Sequence, residues 1–159
     1  MDERAQAIED LYRRRYAVFW NVVAGLTGNR DAARDVVQEA FARAFAKRRQ
    51  LRDVAAVEPW VWRIALRVAA RAAGAPAHLP LDEAFEAGLP TLERDPDLAA
   101  AVRALPPRRR LVVFLRFFAD LSYAEIAAAT GIAKGTVAAT LAQARDELEA
   151  ALAAQEART

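Results

Sequence analysis

Apolar residues recur at three- and four-residue steps along most of this chain, and no stretch alternates as a β-strand would. In the first such segment the recurring residues are Ile8, Leu11, Tyr12, Phe19, Val22, Val23 and Leu26. We expect this first helix to be broken at Gly25 and at Gly28-Asn29, because glycine weakens a helix interior. The periodicity therefore predicts an all-α protein.

Two more helices are predicted within residues 1–73, which would then form a three-helix bundle. The second helix begins after a cap at Asn29 or Asp31. Pro59 suits the first turn of the third helix, where its missing N–H has no intrahelical partner to lose. The apolar residues of these two helices that we expect in the core are Val37, Phe41, Phe45, Trp60, Val61, Ile64 and Val68.

Residues 74–96 interrupt the helical pattern with six of the chain's 13 Gly and Pro residues. Residues 76–101 carry one basic and six acidic side chains, whereas the segments before and after them have net charges of +5 and +2. We predict an extended acidic linker over 74–96, with a helical turn near Asp82–Ala87. A second small helical domain is expected over residues 97–159.

The segment Leu121–Leu141 has the spacing of a helix-turn-helix. Ser122 and Glu125 stand three residues apart as in a capping box, and Gly131 suits the positive φ of a tight turn. In a helix-turn-helix the second helix enters the major groove of DNA. An αα-hairpin inside any helical protein has the same spacing, so spacing alone leaves DNA binding open.

Composition argues against several classes of function. The chain has no Cys, and its one histidine, His78, cannot build a multi-histidine metal centre. No motif pairs a nucleophile with a base, so we predict no enzyme, no catalytic residue, no metal and no cofactor. No apolar run approaches the roughly 18 residues of a spanning helix, and the start of the chain does not resemble a signal peptide. A cytoplasmic location without membrane insertion is expected.

Five motifs resemble one protein family. Asp31-Ala-Ala-Arg-Asp-Val-Val-Gln-Glu-Ala-Phe41 and Trp60-Val-Trp-Arg-Ile-Ala65 are similar to region 2 of the extracytoplasmic-function (ECF) class of sigma factors, in the sigma-70 family. Ala104-Leu-Pro-Pro-Arg-Arg-Arg110, Leu121-Ser-Tyr-Ala-Glu-Ile-Ala127 and Gly131-Ile-Ala-Lys-Gly-Thr-Val137 resemble region 4 of the same family. The two groups stand in the family's order, with a linker between them.

The resemblance implies a dissociable RNA polymerase subunit that directs promoter-specific transcription. Its partners would be core RNA polymerase, promoter DNA and an anti-sigma factor. It further implies that Asp35, Gln38 and Glu39 bind core polymerase, and these residues share one side of the second helix. A solvated helix face stabilised by a Glu39–Arg43 pair would have the same sequence pattern.

The resemblance also implies DNA contacts. The third helix would capture a melted base of the minus-ten element through Trp62, Arg63, Arg67 and Arg71, while Trp60 is expected in the core. The residues expected to contact the minus-thirty-five element are Arg108, Arg109, Arg110, Lys134, Thr136, Gln143 and Arg145.

The sequence departs from the family's pattern in both DNA-reading helices. Arg67 and Arg71 replace the usual Asn and Asp, and the last helix presents Ala138, Ala139 and Ala142 where relatives carry basic residues. Because phosphate neutralisation supplies much of DNA affinity, the last helix is expected to bind duplex DNA weakly. Two interpretations follow: an alternative sigma factor, or a sigma-like regulator that binds polymerase or an anti-sigma factor with weakened or lost minus-thirty-five readout.

Overall fold

The fold is given by a computed structural model, which describes residues 2–85 and 95–158. Every regular element in these two ranges is helical, which confirms the all-α prediction. None of the helices in these ranges is long and apolar enough to cross a membrane.

Three long helices form the N-terminal half: α1 spans Glu3–Thr27, α2 spans Arg30–Ala46 and α3 spans Val57–Ala72. Asp2 and Asn29 cap α1 and α2, because each side chain accepts a hydrogen bond from the backbone N–H three residues further on. Short 3₁₀ turns connect α2 to α3.

Helix α1 continues through Gly25, contrary to the prediction that it breaks there. It ends at Thr27, and the N–H of Gly28, at φ 71°, donates to the carbonyl of Ala24. Gly25 is buried inside the helix, and a Cβ at this position would lie 2.5 Å from Cε1 of Phe114. This glycine therefore permits a close tertiary contact and does not end the helix.

Residues 95–158 form four further helices and one π-helical turn. Ser122 and Glu125 make both hydrogen bonds of the predicted capping box, and Gly131, at φ 81°, ends the helix that they begin. The predicted helix-turn-helix is thus confirmed as α6 and α7. In chain order the elements are α4 Pro96–Ala104, α5 Pro107–Val113, the π-helical turn Phe114–Phe118, α6 Tyr123–Thr130 and α7 Lys134–Arg158.

The buried residues of the two halves belong to one continuous apolar core. Helix α6 packs against α3, and the π-helical turn packs against α1. At this seam Leu66 of α3, Phe114 of the π-helical turn and Ile126 of α6 are each at most 1% exposed. The two halves are therefore packed against each other in the free chain.

The described part of the predicted linker is also packed. A 3₁₀ turn spans Leu81–Glu83, where the sequence predicted a turn, although the end of that prediction lies outside the described residues. Leu81 and Phe85 are 3% and 2% exposed, so this segment is not the extended spacer that its Pro and Gly content suggested. Two apolar side chains anchor it to the core.

Candidate nucleic-acid and partner interfaces

The first candidate surface is the exposed side of α2. Asp35, Gln38 and Glu39 all face solvent, whereas Val36 and Val37 between them are buried. Glu39 accepts a hydrogen bond from Arg43 at 2.6 Å, yet its side chain is still 51% exposed. The face therefore presents two carboxylates and an amide to any partner that approaches.

Phe45 extends this surface, which corrects its predicted place in the core. It lies seven residues, or two helical turns, beyond Gln38 and is 44% exposed, with Arg48 over its ring at 4.7 Å. The buried stripe of α2 continues instead from Val37 to Ala44, which is also seven residues on and is 0% exposed. Seven-residue steps from Val37 lead to Ala44, so strict use of this spacing predicts that Phe45 lies outside the core.

The burial of the two tryptophans of α3 differs from the prediction. Trp62 is fully buried and stacks on Phe19, with ring centroids 3.7 Å apart and an interplanar angle of 10°. Its indole Nε1 donates to Glu58 at 3.3 Å. The prediction that Trp62 contacts DNA is therefore wrong, because its ring lies inside the core. Trp60, which was expected in the core, is only partly buried.

Trp60 lines a groove of about 420 Å³ between α2 and α3, which we call the basic groove. Five of its lining residues are cations, and Ile64 adds apolar surface beside the indole ring. An aromatic ring among cations suits an unpaired base and the phosphates on either side of it. The residues that line the groove are Arg43, Lys47, Gln50, Trp60, Arg63, Ile64, Arg67 and Arg71.

The basic groove includes three of the four residues predicted at the minus-ten element. Arg63, Arg67 and Arg71 recur at four-residue steps and share one exposed side of α3. Arg67 also donates to the carbonyl of Leu79 at 3.0 Å, so the start of the linker crosses one end of the groove. The sequence did not indicate Lys47 and Gln50, because both lie outside the motif of α3 that resembles the family.

The second candidate surface is the exposed side of α7. Lys134, Gln143 and Arg145 face solvent there, and Thr136 is partly buried. Ala138, Ala139 and Ala142 are exposed on the same helix, so small apolar side chains occupy much of this surface.

Of the three consecutive arginines at positions 108–110, two form ion pairs and one is buried. Arg108 forms an ion pair with Asp82 at 2.6 Å, and Arg109 pairs with Glu147. Arg110 is 2% exposed, and burial lowers the pKa of its guanidinium.

The prediction that Arg110 contacts DNA is therefore wrong. Its Nη1 donates to the carbonyl of Arg103 at 3.1 Å, and its Nη2 donates to the carbonyl of Phe85. Consecutive residues of a helix point about 100° apart, so three adjacent arginines cannot all face one surface. Arg110 ties the linker to the C-terminal half.

Comparison with known proteins gives the same two regions. Residues 11–74 match the family described as Sigma-70 region 2, and residues 97–148 match Sigma-70, region 4. The chain is 31% identical over 124 residues to RNA polymerase sigma factor SigV of Bacillus subtilis (strain 168), covering 75% of each protein. The chain belongs to the sigma-70 family, as a sigma factor of the extracytoplasmic-function class.

Two further relatives of this sigma factor carry related names. It is 28% identical over 151 residues to RNA polymerase sigma-E factor of Streptomyces antibioticus, covering 89% of this chain and 84% of the relative. It is also 28% identical over 165 residues to ECF RNA polymerase sigma factor SigE of Mycolicibacterium smegmatis, covering 95% and 63%. The first interpretation is confirmed: the chain is an alternative sigma factor that directs transcription initiation by binding core RNA polymerase and promoter DNA.

Proposed function

We propose that this sigma factor binds core polymerase through the exposed side of α2. The polar contacts come from Asp35, Gln38 and Glu39, and Phe45 supplies an apolar contact two turns from Gln38. An exposed aromatic ring beside carboxylates and an amide suits a stable protein interface, because buried aromatic anchors contribute much of the binding energy and polar groups provide specificity. The Glu39–Arg43 pair is exposed and weak, so a basic partner can replace Arg43 at little cost.

The basic groove binds the melted strand of the minus-ten element. A base stacks on Trp60, and Arg63, Arg67 and Arg71 neutralise the phosphates beside it. Gln50, at the rim of the same groove, offers an amide to the edge of that base. The groove is the single observation that carries this proposal, because it brings an accessible tryptophan and five cations together.

The exposed side of α7 binds the minus-thirty-five element. Thr136 and Gln143 supply polar groups for base edges, and Lys134 and Arg145 reach phosphates. Arg108 and Arg109 add phosphate contacts once they leave their partners Asp82 and Glu147. The exposed alanines limit the charge on this side, so the duplex contact is weak and the minus-ten contact dominates.

The chain acts in the cytoplasm, where core polymerase and promoter DNA are found. It provides binding surfaces and no catalytic residue of its own. An anti-sigma factor inhibits it by covering the exposed side of α2, since the same polar and aromatic groups that suit polymerase suit a competing protein.

The test measures binding of holoenzyme to a forked promoter fragment whose minus-ten strand is unpaired. The sequence of the fragment is taken from a promoter whose transcription start has been mapped with this sigma factor. Trp60→Ala should weaken binding of the forked fragment by about fivefold or more, which is the low end for loss of one base–aromatic stack. Trp20→Ala is the matched control, because Trp20 is also partly buried but lies on α1, outside the basic groove. Equal affinities for the two variants would contradict the proposal.

A further inference from the structure

Hydrogen-bond donors dominate the side chains of the basic groove. Four arginines and Lys47 line it, and the side chains of these residues can only donate. The indole N–H of Trp60 is a further donor. Among the described residues that line the groove, the only side-chain acceptor is the amide oxygen of Gln50. The groove therefore suits a base whose edge accepts hydrogen bonds.

The four bases differ in what they present to such a groove. Guanine offers two adjacent acceptors, N7 and O6, which match the two parallel N–H groups of one guanidinium. Adenine and cytosine each carry an exocyclic amino group, and this donor would face the donors of the groove. Thymine presents the acceptor O4 beside a methyl group, so one guanidinium cannot make two parallel bonds to it. The chemistry of the groove thus favours guanine.

Two of the four arginines are already held by the chain itself. Arg43 donates to a carboxylate of α2 at 2.6 Å, and Arg67 donates to the carbonyl of Leu79 at 3.0 Å. The guanidinium groups of Arg63 and Arg71 make no hydrogen bond or ion pair with another described residue, and both residues are exposed. These two arginines can therefore bind a ligand without losing a contact within the described part of the chain.

Of these two arginines, Arg63 is the one that adjoins Trp60. It follows Trp60 by three residues, so the two side chains are neighbours on one side of α3. Helical side chains lean toward the N-terminus of their helix, so the side chain of Arg63 covers the turn that carries Trp60. Arg71 follows Trp60 by eleven residues, or about 16 Å along the helix axis. A base stacked on Trp60 is therefore much closer to Arg63 than to Arg71.

We infer that the base held on Trp60 is a guanine, and that Arg63 selects it by donating two hydrogen bonds to N7 and O6. A guanidinium has five N–H groups, so Arg63 can make these two bonds and still contact the adjacent phosphate. The amide of Gln50, on the 3₁₀ turn after α2, accepts from the N–H groups on the other edge of the guanine. The inference rests on the proposed function, because it names the base that the basic groove binds.

The experiment first finds the position of the captured base. Holoenzyme is bound to forked promoter fragments in which each unpaired minus-ten base is removed in turn. The captured position is the one where loss of the base weakens binding by the wild type but not by Trp60→Ala. All four bases are then compared at this position, and guanine should bind about tenfold more tightly than adenine or cytosine, as expected for one bidentate arginine contact.

Two changes then test the atoms of the contact. 7-Deazaguanine lacks the N7 acceptor, so it should bind about fivefold more weakly than guanine to the wild type. Arg63→Gln removes the guanidinium, so the advantage of guanine over adenine should be lost, because an amide pairs better with adenine. Arg71→Gln is the matched control: it removes the same charge from the same side of α3, and should weaken binding of guanine and adenine alike, because Arg71 contacts a phosphate.

A preference for any base other than guanine at the captured position would overturn the inference, as would a guanine preference that survives Arg63→Gln. A preference for adenine would identify Gln50 as the selecting residue. Equal binding of all four bases would overturn selection by Arg63 while leaving the stack on Trp60 in place. Failure of the proposed function gives a different result, namely that no unpaired base contributes to binding in a way that depends on Trp60, and this would overturn both.

Discussion

The indole ring of Trp62 stacks on the ring of Phe19 at 3.7 Å, with their planes 10° apart. This pair joins α3 to α1 at the centre of the N-terminal half. Trp60, two residues earlier, opens instead onto the basic groove. Two tryptophans in one motif therefore have separate places, one in the core and one at the groove that we propose for DNA binding.

The first prediction concerns these two tryptophans. Trp62→Ala should lower the free energy of unfolding by about 3–5 kcal/mol, because it removes a fully buried aromatic ring and leaves a cavity. Trp60→Ala should lower it by much less, because its ring is only partly buried. Urea denaturation followed by circular dichroism measures both values, and a larger loss for Trp60→Ala would contradict the assignment.

The second prediction separates Arg110 from Arg108. Arg110→Ala should destabilise the fold by about 2–4 kcal/mol, because it creates a cavity and leaves the carbonyls of Arg103 and Phe85 without their donor. Arg108→Ala should cost less than Arg110→Ala, because the Arg108 side chain is 51% exposed. Thermal unfolding compares the variants. If Arg110→Ala unfolds like the wild type but binds DNA less tightly, the burial of Arg110 is wrong.

Local patterns predicted the helices of this chain because their causes lie within a few residues. Asn29 caps α2, Ser122 and Glu125 form a capping box, and Gly131 ends α6, all as expected from side-chain chemistry and backbone preference. These features do not depend on which other helix lies nearby.

The predictions that were wrong concern residues whose surroundings are set by a segment far away in the sequence. Gly25 looked like a helix breaker because nothing in its neighbourhood reveals Phe114, which lies 89 residues away. Arg110 looked like a DNA contact because its acceptors belong to other segments of the chain.

Trp60 is a different case, because its side of the helix could have been read from the sequence. It lies three and seven residues before Arg63 and Arg67, on the helical side that three arginines share. That spacing indicates an exposed position for Trp60. The resemblance to the family did not indicate on which side of the helix Trp60 lies.

A third prediction concerns Asp2, the cap of α1. Its pKa is lowered chiefly by a hydrogen bond from Arg48, and further by the backbone N–H of Ala5. The stabilisation is fully present above the carboxyl's ordinary pKa in the unfolded chain and is lost as pH falls through the lowered pKa of the folded state.

Asp2→Asn isolates the charge, because asparagine is also a good helix cap. The wild type should melt at a higher temperature than this variant at pH 7, and the difference should begin to shrink below pH about 4 and disappear below the lowered pKa of the folded state. Melting curves at several pH values and constant ionic strength provide the test. A difference that persists at the acid end would mean that the carboxylate is not its source.

A fourth prediction concerns the alanines of α7. Ala138→Lys combined with Ala142→Arg should raise the affinity of the chain for duplex DNA and steepen its dependence on salt by about one to two units of log affinity per log salt. Fluorescence anisotropy over a range of salt concentrations measures the slope. Ala17→Lys with Ala100→Arg is a control that adds the same charge at exposed positions of α1 and α4, outside the helix-turn-helix. Equal slopes for the two double variants would show that the side of α7 that carries Ala138 and Ala142 does not contact DNA.

The most direct test of the whole account is transcription from genomic fragments by core polymerase supplied with this sigma factor, with every transcript start sequenced. We predict discrete starts that share an upstream sequence motif. We also predict that these starts are lost at limiting sigma concentration when Gln38→Ala and Glu39→Ala are combined, because both side chains are exposed on the proposed polymerase-binding side of α2. A double variant that folds normally and supports the same starts at the same concentration would contradict that surface. Starts scattered as with core polymerase alone would contradict the central claim that this chain selects promoters.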